Sequence, residues 1–184
     1  VFTALSPMTE GLSRTPGMPY NIKEQPTLTF VARQKGEAWN RPFVAIYEPS
    51  SAKEPGCITE VSFLKVKSKT ENSATSICVV QKDGRIDYIL SSDNPTDICT
   101  SGKMSAQATY ALWGNKKGDD CSFFLGYGTL LSTPNVVIKA ETPADVLLEF
   151  KKGTWYYTAS TDCTVSIQKK TYKLKANTEE KTLK

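Results

Sequence analysis

Apolar and polar residues alternate with a period of two in stretch after stretch of this chain, and the stretches recur every ~10–14 residues between turn signals. Helical spacing is hard to find. Leu28, Phe30 and Ala32 alternate with Thr29, Val31 and Arg33, and a second apolar run, residues 43–47, closes at Pro49. In the third run Val61 and Phe63 hold one parity while Leu64 and Val66 hold the other, which predicts a β-bulge and a bend near Phe63. Residues 74–81 and the Ile86, Tyr88, Leu90 alternation flank Lys82-Asp83-Gly84, a hairpin turn. The longest alternation places Met104, Ala106, Ala108, Tyr110 and Leu112 on one face, with Ser105, Gln107 and Thr109 on the other. Further strands are predicted at 123–131, 136–140, 146–150, 155–160, 165–168 and 171–175.

About twelve strands joined by short turns, with no helices to cover parallel crossovers, make the chain all-β: an antiparallel β-sandwich, with a closed barrel as the alternative. Residues 1–25, broken by Pro7, Gly11, Pro16, Gly17 and Pro19, read as an irregular lead-in from a longer parent chain. Residues 26–176 are the sandwich domain, and 177–184, with Leu183 the one apolar side chain beyond Ala176, are expected to fray.

Composition narrows the chemistry. The chain has 184 residues and no histidine, which removes the commonest general base, the commonest zinc ligand and every Ser-His-Asp or Cys-His arrangement. The net charge of +4 is spread thinly, with acids among the bases as in Asp83, Arg85 and Asp87, so nucleic acid is not an expected partner. Lys169, Lys170, Lys173 and Lys175 alternate with Tyr172 and Leu174 as the wet face of a strand would. No run is long and apolar enough for a membrane span. The 37 Ser and Thr residues suit half-exposed strands and point to a periplasmic or extracellular home.

Cys57, Cys78, Cys99, Cys121 and Cys163 contain no C-x-x-C pair, so no metal site and no cofactor is expected. Free thiols are the favoured reading, with one or two disulfides among Cys57, Cys99, Cys121 and Cys163 as the alternative. The doublet Asp119-Asp120 is either a solvated loop or a weak calcium ligand.

Exposed aromatics beside cations are the remaining candidates, because a ring can stack on a sugar while the cation holds an anionic substituent. Trp39 with Arg41, and Trp113 with Lys116 and Lys117, form such pairings; no catalytic residue is assigned. For each pairing the bland alternative is a Trp packed on the core beside solvated or salt-bridged charges. Trp155 is the weaker candidate, since on a strand Tyr156 opposes Trp155 and Tyr157. Gly126-Tyr127-Gly128 reads as a kink or a close backbone approach.

The segment Gly36-Glu37-Ala38-Trp39-Asn40-Arg41-Pro42-Phe43-Val44-Ala45-Ile46-Tyr47-Glu48-Pro49 resembles a phrase of the heparinase II/III-like polysaccharide lyases, where it opens β-rich regions behind a helical catalytic toroid. Asp83-Gly84-Arg85-Ile86-Asp87-Tyr88-Ile89-Leu90 and Gly126-Tyr127-Gly128-Thr129-Leu130-Leu131 fit more loosely. The resemblance covers roughly residues 36–150 and implies the C-terminal β-sandwich region of such a protein. In that family an α/α toroid carries a Tyr and His residues; with no toroid and no His here, none of those roles transfers. The expectation is a non-catalytic accessory module of an exported lyase acting on acidic glycans, partnered by the catalytic domain of its parent chain and by an acidic polysaccharide. The alternatives are a free-standing carbohydrate-binding or adhesin-like module, and a self-sufficient lyase using Tyr and Arg.

Overall fold

The computed structural model describes residues 2–4, 11–17, 27–33, 44–116 and 120–183. They divide into two compact units, Phe2–Tyr47 and Glu48–Lys184. In the first, β1 (Phe2–Ala4) pairs antiparallel with β4 (Ala45–Tyr47), and β2 (Gly11–Gly17) pairs with β3 (Thr27–Arg33). Two strands thus lie inside the predicted lead-in, β2 holding Pro16 at its end, where a missing N–H is tolerated.

The second unit is one antiparallel sheet of twelve strands. These are β5 (Ile58–Leu64), β6 (Val66–Lys67), β7 (Ala74–Gln81), β8 (Arg85–Ser92), β9 (Cys99–Ser101) and β10 (Met104–Lys116), followed by β11 (Cys121–Ser132), β12 (Val136–Lys151), β13 (Thr154–Ala159), β14 (Cys163–Ile167), β15 (Lys170–Leu174) and β16 (Asn177–Thr182). The all-β, antiparallel sandwich expected from the alternation is what forms, and it forms by folding one sheet over. The three longest strands run through the fold and change neighbours on the way. At its start β10 pairs with β9, and from Tyr110 onward with β8; β12 pairs first with β14, through Ala140, and from Val146 with β13.

Local chemistry sets the bend. Between Leu125 and Leu130 the register of β11 against β12 shifts on either side of Gly128, and Tyr127 adopts φ 45°. Opposite it, Glu141, Thr142 and Pro143 are exposed and unpaired with β11, and a proline has no N–H to lose there. The Asp145 carboxylate accepts the Tyr127 N–H at 2.8 Å, satisfying a donor the bulge removes from the ladder. The predicted kink at Gly126-Tyr127-Gly128 is therefore real, and so is the close approach: a Cβ on Gly128 would stand 2.3 Å from that of Ala108.

Two cross-strand ladders face each other across the core. One runs Leu90, Ala111, Leu125, Val146, Ala159, and the other Cys99, Ala106, Leu131, Ile138, Val165, Tyr172. All but the half-buried Tyr172 are buried members of a single hydrophobic cluster. Each Leu, Ile or Val side chain withdrawn from water contributes about 1.5–3 kcal/mol, so this shared interior holds the layers together.

Several expectations need correction. Met104, Ala106 and Ala108 point inward, but the parity of β10 changes beyond Ala108, so Ala111 is buried and Tyr110 is 56% exposed. The phase shift near Phe63 is a change of partner: Leu64 still pairs with Ser76 of β7, while Val66 pairs with Ser101 of β9. Asn177–Thr182, expected to fray, hydrogen-bonds along β13, anchored by the Asn177 side-chain oxygen accepting the Ala159 N–H at 3.1 Å. The 82–84 hairpin forms as read, with Gly84 at φ 83° and its N–H donating to Gln81 O at 3.0 Å.

Candidate functional site

Folding the sheet leaves a cleft of about 340 Å³ where the far ends of the two layers meet. One wall is built from the inward positions of four adjacent strands: Trp113 and Asn115 on β10, Cys121 and Phe123 on β11, Phe150 on β12 and Trp155 on β13. The other wall comes from two turns, with Thr133 and Asn135 between β11 and β12 and Val136 opening β12, and Ile167 and Gln168 at the β14–β15 hairpin.

The aromatic wall is rigidly packed. Trp113 stacks on Tyr88 with ring centroids 4.9 Å apart and planes at 25°, and Trp155 lies 5.1 Å from Phe150 and 6.2 Å from Phe123. Each offset or tilted pair adds ~0.5–1.5 kcal/mol to the burial of its area. Burial pushes the Cys121 thiol and the Tyr88 hydroxyl above their ordinary values, keeping both protonated at neutral pH. Among the described residues no Asp, Glu, Lys or Arg lines the cleft.

The sequence candidates divide. Trp39, Arg41 and Lys117 lie outside the described residues. Trp113 is half-buried against the core and lines the cleft. Lys116 stands three positions on, on the opposite face of β10, where its ammonium pairs with Asp83 in the hairpin turn at 3.2 Å. The strand geometry thus separates Trp113 from Lys116. It brings Trp113 together instead with Trp155, the less favoured tryptophan. Sequence reasoning missed Asn115, Asn135, Phe150 and Gln168. The parity of 113 with 115 was readable, but the meeting of turns 133–136 and 167–170 with that wall depends on the fold-over.

On the opposite face of the sheet, Asp87 is buried and accepts from Arg85 Nε at 2.7 Å and Gln81 Nε2 at 2.9 Å, while Arg85 also donates to Ser122 at 3.1 Å. Gly114 makes room, since a Cβ there would sit 2.5 Å from both the guanidinium and the carboxylate. Beside this network a band of outward positions in register, Phe63, Ile77, Ile89, Leu112, Phe124 and Leu147, crosses six strands. Ile77 and Val79 are buried yet stand outside the core cluster. The sheet therefore has two apolar faces where a sandwich layer needs one.

All five cysteines are free, Cys99 and Cys163 buried and Cys57 exposed. Among the described residues no three potential metal ligands converge, and no helix is long and apolar enough to cross a membrane.

No family model matches the chain, and no solved structure matches it significantly. The chain is similar to an endo-acting ulvan lyase of Formosa agariphila, with 28% identity over 148 residues. The match covers 76% of this chain and 16% of that protein, so the chain corresponds to a small part of its relative's length. The relationship is to a polysaccharide lyase, and what is related is an all-β module.

Proposed function

We propose that the chain is a non-catalytic β-sandwich module of an exported, heparinase II/III-like polysaccharide lyase, acting with a catalytic domain of the same parent chain on acidic glycans and touching glycan itself. The observation that carries this reading is the second apolar face. A sandwich layer buries one face and wets the other, whereas here Phe63, Ile77, Ile89, Leu112, Phe124 and Leu147 form a band on the face turned away from the core. Ile77 is buried and the other five are half-buried, so the band is no open patch; apolar area in excess of a sandwich's own core is what a neighbouring domain would share. The similarity to a short part of an ulvan lyase supports the identity of that neighbour. Export follows from the reading, because a polysaccharide reaches only an enzyme outside the cell.

A module of this kind removes no uronate proton alone. The pure chain, incubated with heparan, chondroitin, alginate or ulvan, should give no growth of unsaturated-uronate absorbance, and steady growth overturns the reading. Phe124→Lys and Leu147→Lys test the docking face. Both should leave the isolated chain melting within a few degrees of wild type, and a loss like that of a core substitution would show that the band serves the chain's own interior.

The cleft favours one alternative, a free-standing carbohydrate-binding module, because it brings two tryptophans to one opening.

A further inference from the structure

We infer that the cleft between the layer ends is a binding site for an uncharged pyranose unit of a glycan, and not for its uronate or sulfate groups. This rests on the glycan contact proposed above and specifies its chemistry. An anionic sugar needs a cation, and among the described residues neither Lys nor Arg lines the cleft; Lys116, the nearest described candidate from sequence, is turned away and paired with Asp83. What the cleft does offer is an aromatic wall, Trp113 and Trp155, with the primary amide of Asn115 on the same wall and those of Asn135 and Gln168 on the other. The negative face of an indole attracts the polarised C–H bonds of a pyranose. Each amide presents both a donor and an acceptor, which suits hydroxyl pairs. No described residue bonds these three exposed amides. The volume of about 340 Å³ lies at the small end of the ~300–1,000 Å³ range of ligand sites, appropriate to one ring or a short stretch of chain.

The wall of turns is held in place at a cost to the backbone. The two-residue β14–β15 turn puts Gln168 at φ 47° and Lys169 at φ 73°, a conformation for which Asn-Gly is the usual choice. Side chains other than Gly, Asn and Asp are strained there, and such strain concentrates at functional sites. The Gln168 N–H donates to Asn135 O at 3.0 Å, tying the two amide-bearing turns together. The Thr133 hydroxyl and the Val136 backbone bond each other across the 133–136 turn, fixing Asn135 between them.

The test is an NMR titration of the whole chain, following the indole N–H signals of Trp113 and Trp155. The probes are the methyl pyranosides of glucose, galactose, xylose, fucose and rhamnose, with glucuronic acid as the charged comparison. At least one neutral glycoside should shift both signals saturably, with glucuronic acid at least tenfold weaker. Asn135→Ala and Gln168→Gly should each weaken that binding at least tenfold. Gln168→Gly should melt no lower than wild type, because glycine adopts the turn without strain; a merely structural glutamine would not combine lost binding with retained stability. Absence of any saturable shift, equal binding of glucuronic acid, or wild-type affinity in both variants overturns the inference. None of these outcomes bears on the lyase-activity or docking-face tests, so the two readings fail separately.

Discussion

Two glycines, two residues apart on β11, should respond very differently to the addition of one methyl group. On Gly128 a Cβ would lie 2.3 Å from the Ala108 Cβ, 2.7 Å from the Gln107 carbonyl oxygen and 2.7 Å from Leu125 Cδ1. Carbon atoms pack best at about 3.5–4.0 Å, so the first contact falls short by more than an ångström. Two of the three neighbours belong to the backbone or sit one bond from it, and no side-chain rotation removes them. The Gly128 φ lies outside the left-handed region, so the cost of Gly128→Ala is steric alone. Overpacking costs about 1–3 kcal/mol, and the rigidity of these neighbours places this substitution near 3 kcal/mol. That corresponds to a fall of roughly 6–12 °C in Tm for a chain of this size. Gly126→Ala instead meets the Phe124 ring at 2.7 Å and the Tyr110 Cβ at 3.2 Å, on the outward face where the ring can swing aside. Its cost should be about 1 kcal/mol or less. Urea denaturation of both variants measures the difference, with the m-value unchanged if the folded state keeps its shape. Adding Ala108→Gly to Gly128→Ala should restore part of the loss, because the shortest contact disappears while the Gln107 carbonyl remains. Equal costs at the two positions, or no rescue, would refute the steric account of the bend.

Two further tests address groups that sequence left unassigned. Cys163 is 7% exposed, and burial, then the charge of Asp162, pushes its thiol up to about 11 from 9.0. The folded chain holds that proton more tightly than the unfolded one, so stability is unaffected below pH ~9 and declines as pH rises from there to ~11, by about 2–3 kcal/mol in all. Urea midpoints across this window should fall less steeply in Cys163→Ala, and an identical slope would discard the assignment. Asp87→Ala should cost about 2 kcal/mol in thermal melts, because it leaves the Arg85 guanidinium without the carboxylate it bonds at 2.7 Å. The figure is kept low because the Arg85 side chain is 34% exposed and water takes up part of the loss. A change within ~0.5 kcal/mol would make the network a surface ornament.

Alternation of period two was enough to establish strands, antiparallel pairing and the sandwich, because a strand with one buried face writes that face into every second residue. The hairpin at 82–84 was legible for the same local reason, with Gly84 marking a position of positive φ. Local pattern also marked Gly126 and Gly128 as a kink, but not the parity of β10. A change of parity along a strand inverts the faces of everything beyond it, so past Ala108 Tyr110 moved outward and Ala111 inward although neither is unusual in its own neighbourhood. The edge strand Asn177–Thr182, almost wholly exposed, leaves no hydrophobic signature and exists through backbone pairing with β13. The cleft lies further still from the sequence. Trp113 and Trp155 were visible one at a time, but whether a tryptophan stands beside a lysine or another tryptophan depends on strand parity and on which strands become neighbours. Asn135 and Gln168 reach the same opening only because the sheet folds back on itself, bringing its far ends together through contacts between residues remote in the chain.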